Sequence, residues 1–274
     1  MFNPYVIEGP AVISFSGGRT SGYMLRRILN EGLRPDVHVV FANTGKERLE
    51  TLDFVRKVEQ EWDVPVRWVE RATTTDGFIE TDYSRASRSG EPFTQLIMDK
   101  RMLPSPPRRW CTSELKIEPM RKWMLAQGYP QWSNVVGIRA DEPRRVAKIR
   151  GEEEARSLKL INARWKDQEW DVLLPLADAG VTEADVLTFW ERNAFNLNLS
   201  ANMGNCDLCF LKKLAYKQNI VRDHPELATW WIEQEQRIGH QFRNDHPSYD
   251  AMRKQPDLFK DGIEQDLIEC YCTD

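Results

Sequence analysis

The stretch Ala11-Val12-Ile13-Ser14-Phe15-Ser16-Gly17-Gly18-Arg19-Thr20-Ser21 runs an apolar strand into a helix start through two adjacent glycines. Paired glycines let a backbone approach an anion with no Cβ in the way, and a helix start adds unpaired N–H groups and the positive end of a dipole. Ser16, Thr20 and Ser21 supply hydroxyl donors. A plain strand-to-helix turn would need only one or two glycines, whereas motif and context here agree, so residues 16–21 are expected to bind phosphate. The spacing is not that of a Walker loop, because no Lys follows the glycines at the required distance.

Working outward, the pattern repeats. A helix is expected over about 20–30, ended by the turn Gly32-Leu33-Arg34-Pro35-Asp36. Val37-His38-Val39-Val40-Phe41-Ala42 reads as a second buried strand, and Asn43-Thr44-Gly45 turns the chain into a helix over about 47–62, with an apolar stripe of Leu49, Leu52, Phe54, Val55 and Val58. Further strands are expected at 66–69 and 134–138, and helices at about 113–127, 182–193, 208–222 and 226–239. Thr182 with Asp185 resembles a capping box at the start of one of them. Strands alternating with helices through short loops predict a doubly wound parallel α/β sheet. Residues 71–109, rich in Arg, Ser, Thr and Pro, read as an irregular insertion, either a solvated loop or a substrate cover. The expected division is a nucleotide-binding α/β domain over 1–180 and a mostly helical, cysteine-bearing region over 181–274.

Composition sets the boundaries. Of 274 residues, 38 are Lys or Arg and 42 Asp or Glu, a net charge of −4, so any anionic ligand must be held by a local cluster rather than by a whole-molecule field. A hydrophobic fraction of 41% with 29% charged residues excludes disorder and fibrous repeats. No stretch approaches the roughly 18 apolar residues of a membrane span, and the start lacks a charged then apolar leader pattern, so a cytoplasmic protein without a membrane partner is expected. Five cysteines cannot pair completely, which favours metal ligation or redox chemistry over a disulfide framework.

Ser16-Gly17-Gly18-Arg19-Thr20-Ser21 resembles the pyrophosphate-binding loop of the N-type ATP pyrophosphatases, and the surrounding chain resembles the phosphoadenosine-phosphosulfate reductase family within that superfamily. Asn43-Thr44-Gly45 stands where that family has D-T-G. Trp110-Cys111-Thr112-Ser113-Glu114-Leu115-Lys116-Ile117-Glu118-Pro119 is similar to its C-C-x-x-x-K-x-x-P segment, and Gly137-Ile138-Arg139-Ala140-Asp141-Glu142 to its G-x-R-x-D-[QE] segment. The resemblance implies an adenine nucleotide at the carboxyl ends of the strands, with Ser16, Gly17, Gly18, Arg19, Thr20 and Ser21 at its phosphates and Asn43, Thr44 and Gly45 beside the adenosine. It also implies Lys116 in contact with substrate and Asp141 near the nucleotide. Asn43 replaces an acidic residue, so that charge is lost or moved. The intact loop is closer to the ATP-cleaving branch, with magnesium as a companion of ATP, than to reductases acting on phosphoadenosine or adenosine phosphosulfate. Arg139, directly after a strand, either grips phosphate or sulfate bidentately or pairs with Asp141 or Glu142.

Cys206-Asp207-Leu208-Cys209 reads as a C-x-x-C opening a helix, where the helix start and Lys212 and Lys213 favour thiolates. By spacing alone it serves zinc, an iron–sulfur cluster or a redox pair equally well. The resemblance implies that Cys111, Cys206 and Cys209 ligate a 4Fe-4S cluster. For the fourth position Thr112 has replaced a cysteine, leaving Cys270 and Cys272 in the tail: one as ligand, with Cys272 favoured, and the other, Cys270, as nucleophile. Three functions follow. The first is an ATP-dependent, adenylylating sulfur-transfer enzyme with a sulfur donor. The second is a sulfonucleotide reductase releasing sulfite through a tail cysteine. The third is a non-enzymatic nucleotide-binding zinc protein. Arg85, Arg88, Arg101, Arg108, Arg109, Arg144, Arg145, Lys148 and Arg150 either form a basic face for a nucleic-acid acceptor or serve solubility.

Overall fold

Six strands, β1 (Ala11–Ser14), β2 (Val37–Asn43), β3 (Val66–Arg71), β4 (Phe78–Thr81), β5 (Trp132–Val135) and β6 (Trp170–Leu173), form one sheet in the order β4-β3-β2-β1-β5-β6. The computed structural model describes residues 2–157, 169–200, 203, 204 and 206–255. Ile13 of β1 stands beside Val39 of β2 and Val135 of β5, all in parallel register. The chain runs from β1 towards β2 on one side and later from β1's other edge through β5 to β6. Strand order therefore reverses at β1, and the crevice that open α/β sheets use for ligands lies between the ends of β1 and β5. The sheet is not wholly parallel: β4 pairs antiparallel with β3, Val69 opposite Glu80.

Both faces are covered, as burial of parallel strands requires. On one face Ile13, Phe15, Val39 and Phe41 meet α1 (Arg19–Glu31) through Met24, Leu25 and Ile28, α2 (Leu49–Glu61) through Leu52, Val55 and Val58, and Trp190. On the other, Val12, Val40, Ala42 and Val69 pack on Trp123 and Met124. Burying each such side chain contributes about 1.5–3 kcal/mol, so the sheet dominates stability.

Residues 71–109 are more ordered than their composition predicts, containing β4 and α3 (Glu91–Lys100). Phe93, Leu96 and Ile97 of α3 join a third cluster with Leu208, Phe210, Trp231, Phe242 and Met252 from the C-terminal region. Apolar partners distant in the sequence supply what the local polar pattern concealed. The run expected over 113–127 begins earlier, as α4 (Trp110–Thr112), a π-helical segment Ser113–Ile117 and α5 (Glu118–Ala126). Pro119 lacks an N–H, and the wider π turn ahead of it absorbs the interruption. Then come α6 (Pro143–Ser157), α7 (Pro175–Asp178) and α8 (Glu183–Glu191), the last with the expected Thr182–Asp185 capping box. α9 (Leu214–Asp223), α10 (Ala228–Ile238) and α11 (Tyr249–Lys254) follow. No helix among the described residues is long and apolar enough to cross a membrane.

Candidate nucleotide and cysteine site

Residues 16–21, the expected phosphate loop, are held together by their own hydroxyls. Ser21 Oγ is buried, receives the Ser16 N–H at 3.2 Å, meets Ser16 Oγ at 2.8 Å and donates to the Gly18 carbonyl at 3.2 Å. Gly17 has φ +75°, and a Cβ there would lie 2.7 Å from Thr51 Cγ2 and 2.9 Å from Val55 Cγ2, inside the core. Gly17 therefore serves the turn. Gly18, extended at φ −95° and ψ 166°, stands at the start of α1, whose first turn has no side-chain cap and so resembles the helix starts that receive anions.

Arg19 turns away from the loop. Its Nε donates to Asn196 Oδ1 at 2.9 Å, and its Nη2 donates to the carbonyls of Leu199 at 2.7 Å and Leu197. Trp190 Nε1 donates to the Arg19 carbonyl at 2.7 Å, so this residue ties the start of α1 to the segment after α8. The side chain of Arg19 is thus committed to this segment and not to the loop.

The segment after β5 meets the loop directly. A Cβ on Gly137 would be 3.2 Å from Ser21 Cα, a close approach that keeps the two motifs in contact. Arg139 Nη1 donates to Thr20 Oγ1 at 3.3 Å, while its Nε donates to Asp141 Oδ1 at 2.9 Å. Of the two readings of Arg139, the structure shows the pairing with its acidic neighbours, and the contact with Thr20 brings the same side chain to the start of α1. Asp141 Oδ2 accepts the Glu183 N–H at 2.9 Å. Burial alone would raise this carboxyl, but the Glu183 N–H and the Arg139 guanidinium hold it below the usual carboxylate range.

At the end of β2 the acidic position occupied by Asn43 is explained by a neighbour. Asn43 Nδ2 donates to Glu70 Oε1 at 2.6 Å, and Glu70, buried at the end of β3, also accepts the Ser87 N–H and hydroxyl at 2.7 Å each. A carboxylate at position 43 would face a second one in a buried site, where like charges resist joint ionisation.

Glu47, which motif reading passed over, also lies here. Its Oε2 accepts the Thr44 N–H at 2.9 Å and the Thr44 hydroxyl at 2.8 Å, and its buried Oε1, without a hydrogen-bond partner, lies 3.7 Å from Lys116 Nζ. The Thr44-x-x-Glu47 spacing, that of a capping box, was a legible signal. Lys116, for which the resemblance implied substrate contact, thus lies beside Glu47, just after β2.

The cysteine loop joins the same place through an isolated antiparallel bridge between Glu47 and Cys206, and Thr44 Oγ1 lies 3.7 Å from Cys206 Sγ. Its local form differs from the expectation. The C-x-x-C does not open a helix: the Cys209 N–H closes a turn on the Cys206 carbonyl at 3.2 Å, and α9 begins only at Leu214. Lys212 Nζ is spent on the Gly204 carbonyl at 2.6 Å. The predicted thiolate bias is absent at Cys206. Burial, then the Glu47 carboxylate, push its thiol well above the ordinary range, with Lys116 opposing.

Cys111 and Cys209 are buried members of one apolar cluster, and Cys206 is packed against that cluster. Among the described residues no group of three or more His, Cys, Asp or Glu could hold a single metal ion. The gathered donors are sulfur, the chemistry that iron–sulfur clusters take, and a multi-iron cluster does not require its ligands to share one ion-sized centre. Cys270 and Cys272 lie outside the described residues. Of the basic residues, Arg85 pairs with Asp82 at 2.7 Å, and Arg145 and Arg150 pair with Glu142 and Asp178.

The chain is 30% identical over 212 residues to the nin region protein ORF290 of Escherichia phage lambda, an alignment covering 73% of this chain and 66% of that protein. It is 25% identical over 228 residues to protein MJ0066 of Methanocaldococcus jannaschii, covering 82% and 41%. It thus spans less than two thirds of the length of these relatives. Among solved structures, a U34-tRNA thiolase, NcsA, from Methanococcus maripaludis with its [4Fe-4S] cluster aligns over 88% of this chain and 75% of its own, at TM-score 0.41 and 14% identity. Residues 10–198, which contain the phosphate loop, Asn43–Glu47 turn, Lys116 and the Arg139 segment, match the phosphoadenosine phosphosulfate reductase domain. The chain belongs to the phosphoadenosine phosphosulfate reductase domain family.

Proposed function

We propose that the protein is an ATP-dependent sulfur-transfer enzyme that adenylylates an oxygen of its acceptor, releases pyrophosphate and directs sulfur to the activated atom. The observation that carries the reading is the contact of Arg139 with the expected phosphate loop after β1, together with the pairing of the cysteine loop with Glu47, just after the neighbouring strand β2. Attack of the acceptor oxygen on the α-phosphorus breaks the bond to the β-phosphate bridge. The open N–H groups at the start of α1 and the Arg139 guanidinium are suited to the negative charge that the departing pyrophosphate gathers. Lys116, beside Glu47, supplies a further cation near the substrate. Cys111, Cys206 and Cys209 would hold a 4Fe-4S cluster, with Cys272 as the favoured fourth ligand; with only the three, one iron would stay open to bind sulfur. Magnesium would accompany ATP, and Cys270 remains the candidate sulfur nucleophile.

Family membership favours a second reading, reduction of a sulfonucleotide with release of sulfite through Cys270. Anaerobic purification with iron, sulfide and zinc analysis, then incubation with ATP or with phosphoadenosine phosphosulfate, separates the two. AMP and pyrophosphate from ATP support the first reading and sulfite the second. Stoichiometric zinc with neither turnover overturns both in favour of a binding protein. The acceptor class, with nucleic acid among the candidates, is tested by supplying RNA or DNA in the ATP reaction.

A further inference from the structure

Where the Asn43-Thr44-Gly45 turn continues into Lys46, a buried ion pair joins it to the cysteine loop. Lys46 Nζ lies 2.8 Å from Asp207 Oδ2, with side-chain exposures of 7% and 6%. The Asp207 N–H donates to the Lys46 carbonyl at 2.8 Å, and the next residues, Glu47 and Cys206, form the antiparallel bridge. Asp207 Oδ1 is engaged as well, accepting the Leu208 N–H at 2.7 Å and Trp231 Nε1 at 2.8 Å. Lys46 Nζ also sits 5.1 Å from the centre of the Trp230 ring. Asp207 cannot rotate without abandoning a donor, so the loop carrying Cys206 and Cys209 has one orientation relative to the turn.

We infer that Lys46 and Asp207 are a positioning pair that couples nucleotide occupancy beside residues 43–45 to the Cys206–Cys209 loop, an inference that rests on the nucleotide reading above. A buried ion pair stabilises a fold no better than well-packed apolar residues of the same volume, but it fixes one relative geometry. This pair stands at the junction of the two motifs that the reaction must bring together. Ordering the turn around a nucleotide draws on the same backbone that carries the Lys46 carbonyl and the Glu47 bridge, so the cysteine loop is ordered with it.

Amide hydrogen exchange on the full chain, with and without MgATP, tests this in the presence of whatever metal the protein carries. In the wild type MgATP slows exchange of peptides covering residues 16–22 and, by about tenfold, those covering 206–209, within the usual range of coupling between sites. The double variant Lys46→Met with Asp207→Asn removes both charges and keeps an acceptor for Leu208 and Trp231. It should retain protection of 16–22 and lose that of 206–209. Persistent protection of 206–209 in the variant overturns the inference, as does protection of 16–22 without 206–209 in the wild type. If MgATP protects neither peptide in the wild type, the nucleotide reading fails and the coupling with it. Should the variant not fold, the wild-type comparison still decides whether the coupling exists, and Lys46→Arg, which keeps the charge, should preserve it.

Discussion

Gly17→Ala is expected to damage the fold, whereas Gly18→Ala should damage ligand binding. At Gly17 the left-handed backbone, φ +75°, costs an L-residue about 1–2 kcal/mol. The new methyl would also meet Thr51 Cγ2 at 2.7 Å, Val55 Cγ2 at 2.9 Å and Phe41 Cε2 at 3.4 Å. Thr51 and Val55 are buried on α2 and cannot swing into solvent, so overpacking adds about 1–3 kcal/mol. The sum, about 2–5 kcal/mol, is a large part of the roughly 5–15 kcal/mol that holds a typical domain together. Gly18 has an extended backbone that any residue adopts, so Ala there should change stability by less than about 1 kcal/mol and instead place a methyl at the anion's approach to α1. Urea denaturation followed by tryptophan fluorescence measures the first effect, and calorimetric titration with MgATP the second. Equal stability of Gly17→Ala and wild type would refute the packing argument. Undiminished ATP affinity in Gly18→Ala would refute the assignment of the phosphate position.

Asn43→Asp should cost about 1–3 kcal/mol, because a buried donor to Glu70 is replaced by a like charge, and the loss should be greater at neutral than at mildly acidic pH; an unchanged urea midpoint at neutral pH would count against it. Glu235 is raised by burial despite accepting the Tyr249 and Phe242 N–H groups, so the folded state holds its proton to higher pH than the unfolded state does. Stability must fall as pH rises between the ordinary glutamate value and the raised one, and Glu235→Gln should flatten that slope in pH-dependent denaturation. Removing the residues after Glu269 should lower iron content if Cys272 is a ligand, or leave iron intact and stop turnover if the tail supplies only the nucleophile. Full iron and full activity would exclude both roles.

Four of the six strands, β1, β2, β3 and β5, were readable because their information is local, whereas β6 (Trp170–Leu173) was not foreseen. Apolar runs at 11–15 and 37–42 bounded by glycine turns specify buried parallel strands, and Thr182 with Asp185 specified the capping box seen at α8. β4 and α3 were not readable from a polar, arginine-rich stretch. α3 is held by Phe93, Leu96 and Ile97 against Trp231 and Phe242, and Trp230 Nε1 reaches back to Thr94 Oγ1 at 2.8 Å. Partners that far along the chain leave no periodic trace near residue 93.

The site divides along the same line. Motifs single out residues 16–21, Arg139, Lys116 and the cysteines as candidates because the chemistry expected of each needs particular residue types at short spacing. The meaning of individual atoms did not follow, since it depends on which distant element comes to rest beside them. Arg19 reads as a phosphate-facing cation until the carbonyls of Leu197 and Leu199 claim it. Asn43 reads as a lost charge until Glu70 appears at 2.6 Å. The cysteine loop gives the sharpest case. Two nearby lysines and a supposed helix start favoured thiolates, yet Lys212 serves the Gly204 carbonyl and the helix begins after the loop. Pairing with Glu47, just after β2, instead sets the surroundings of Cys206, while Lys46 holds the adjacent Asp207. The Asn43–Gly45 turn runs directly into Lys46 and Glu47, which pair with the cysteine loop, so substitutions at Lys46 or Glu47 should be felt at both.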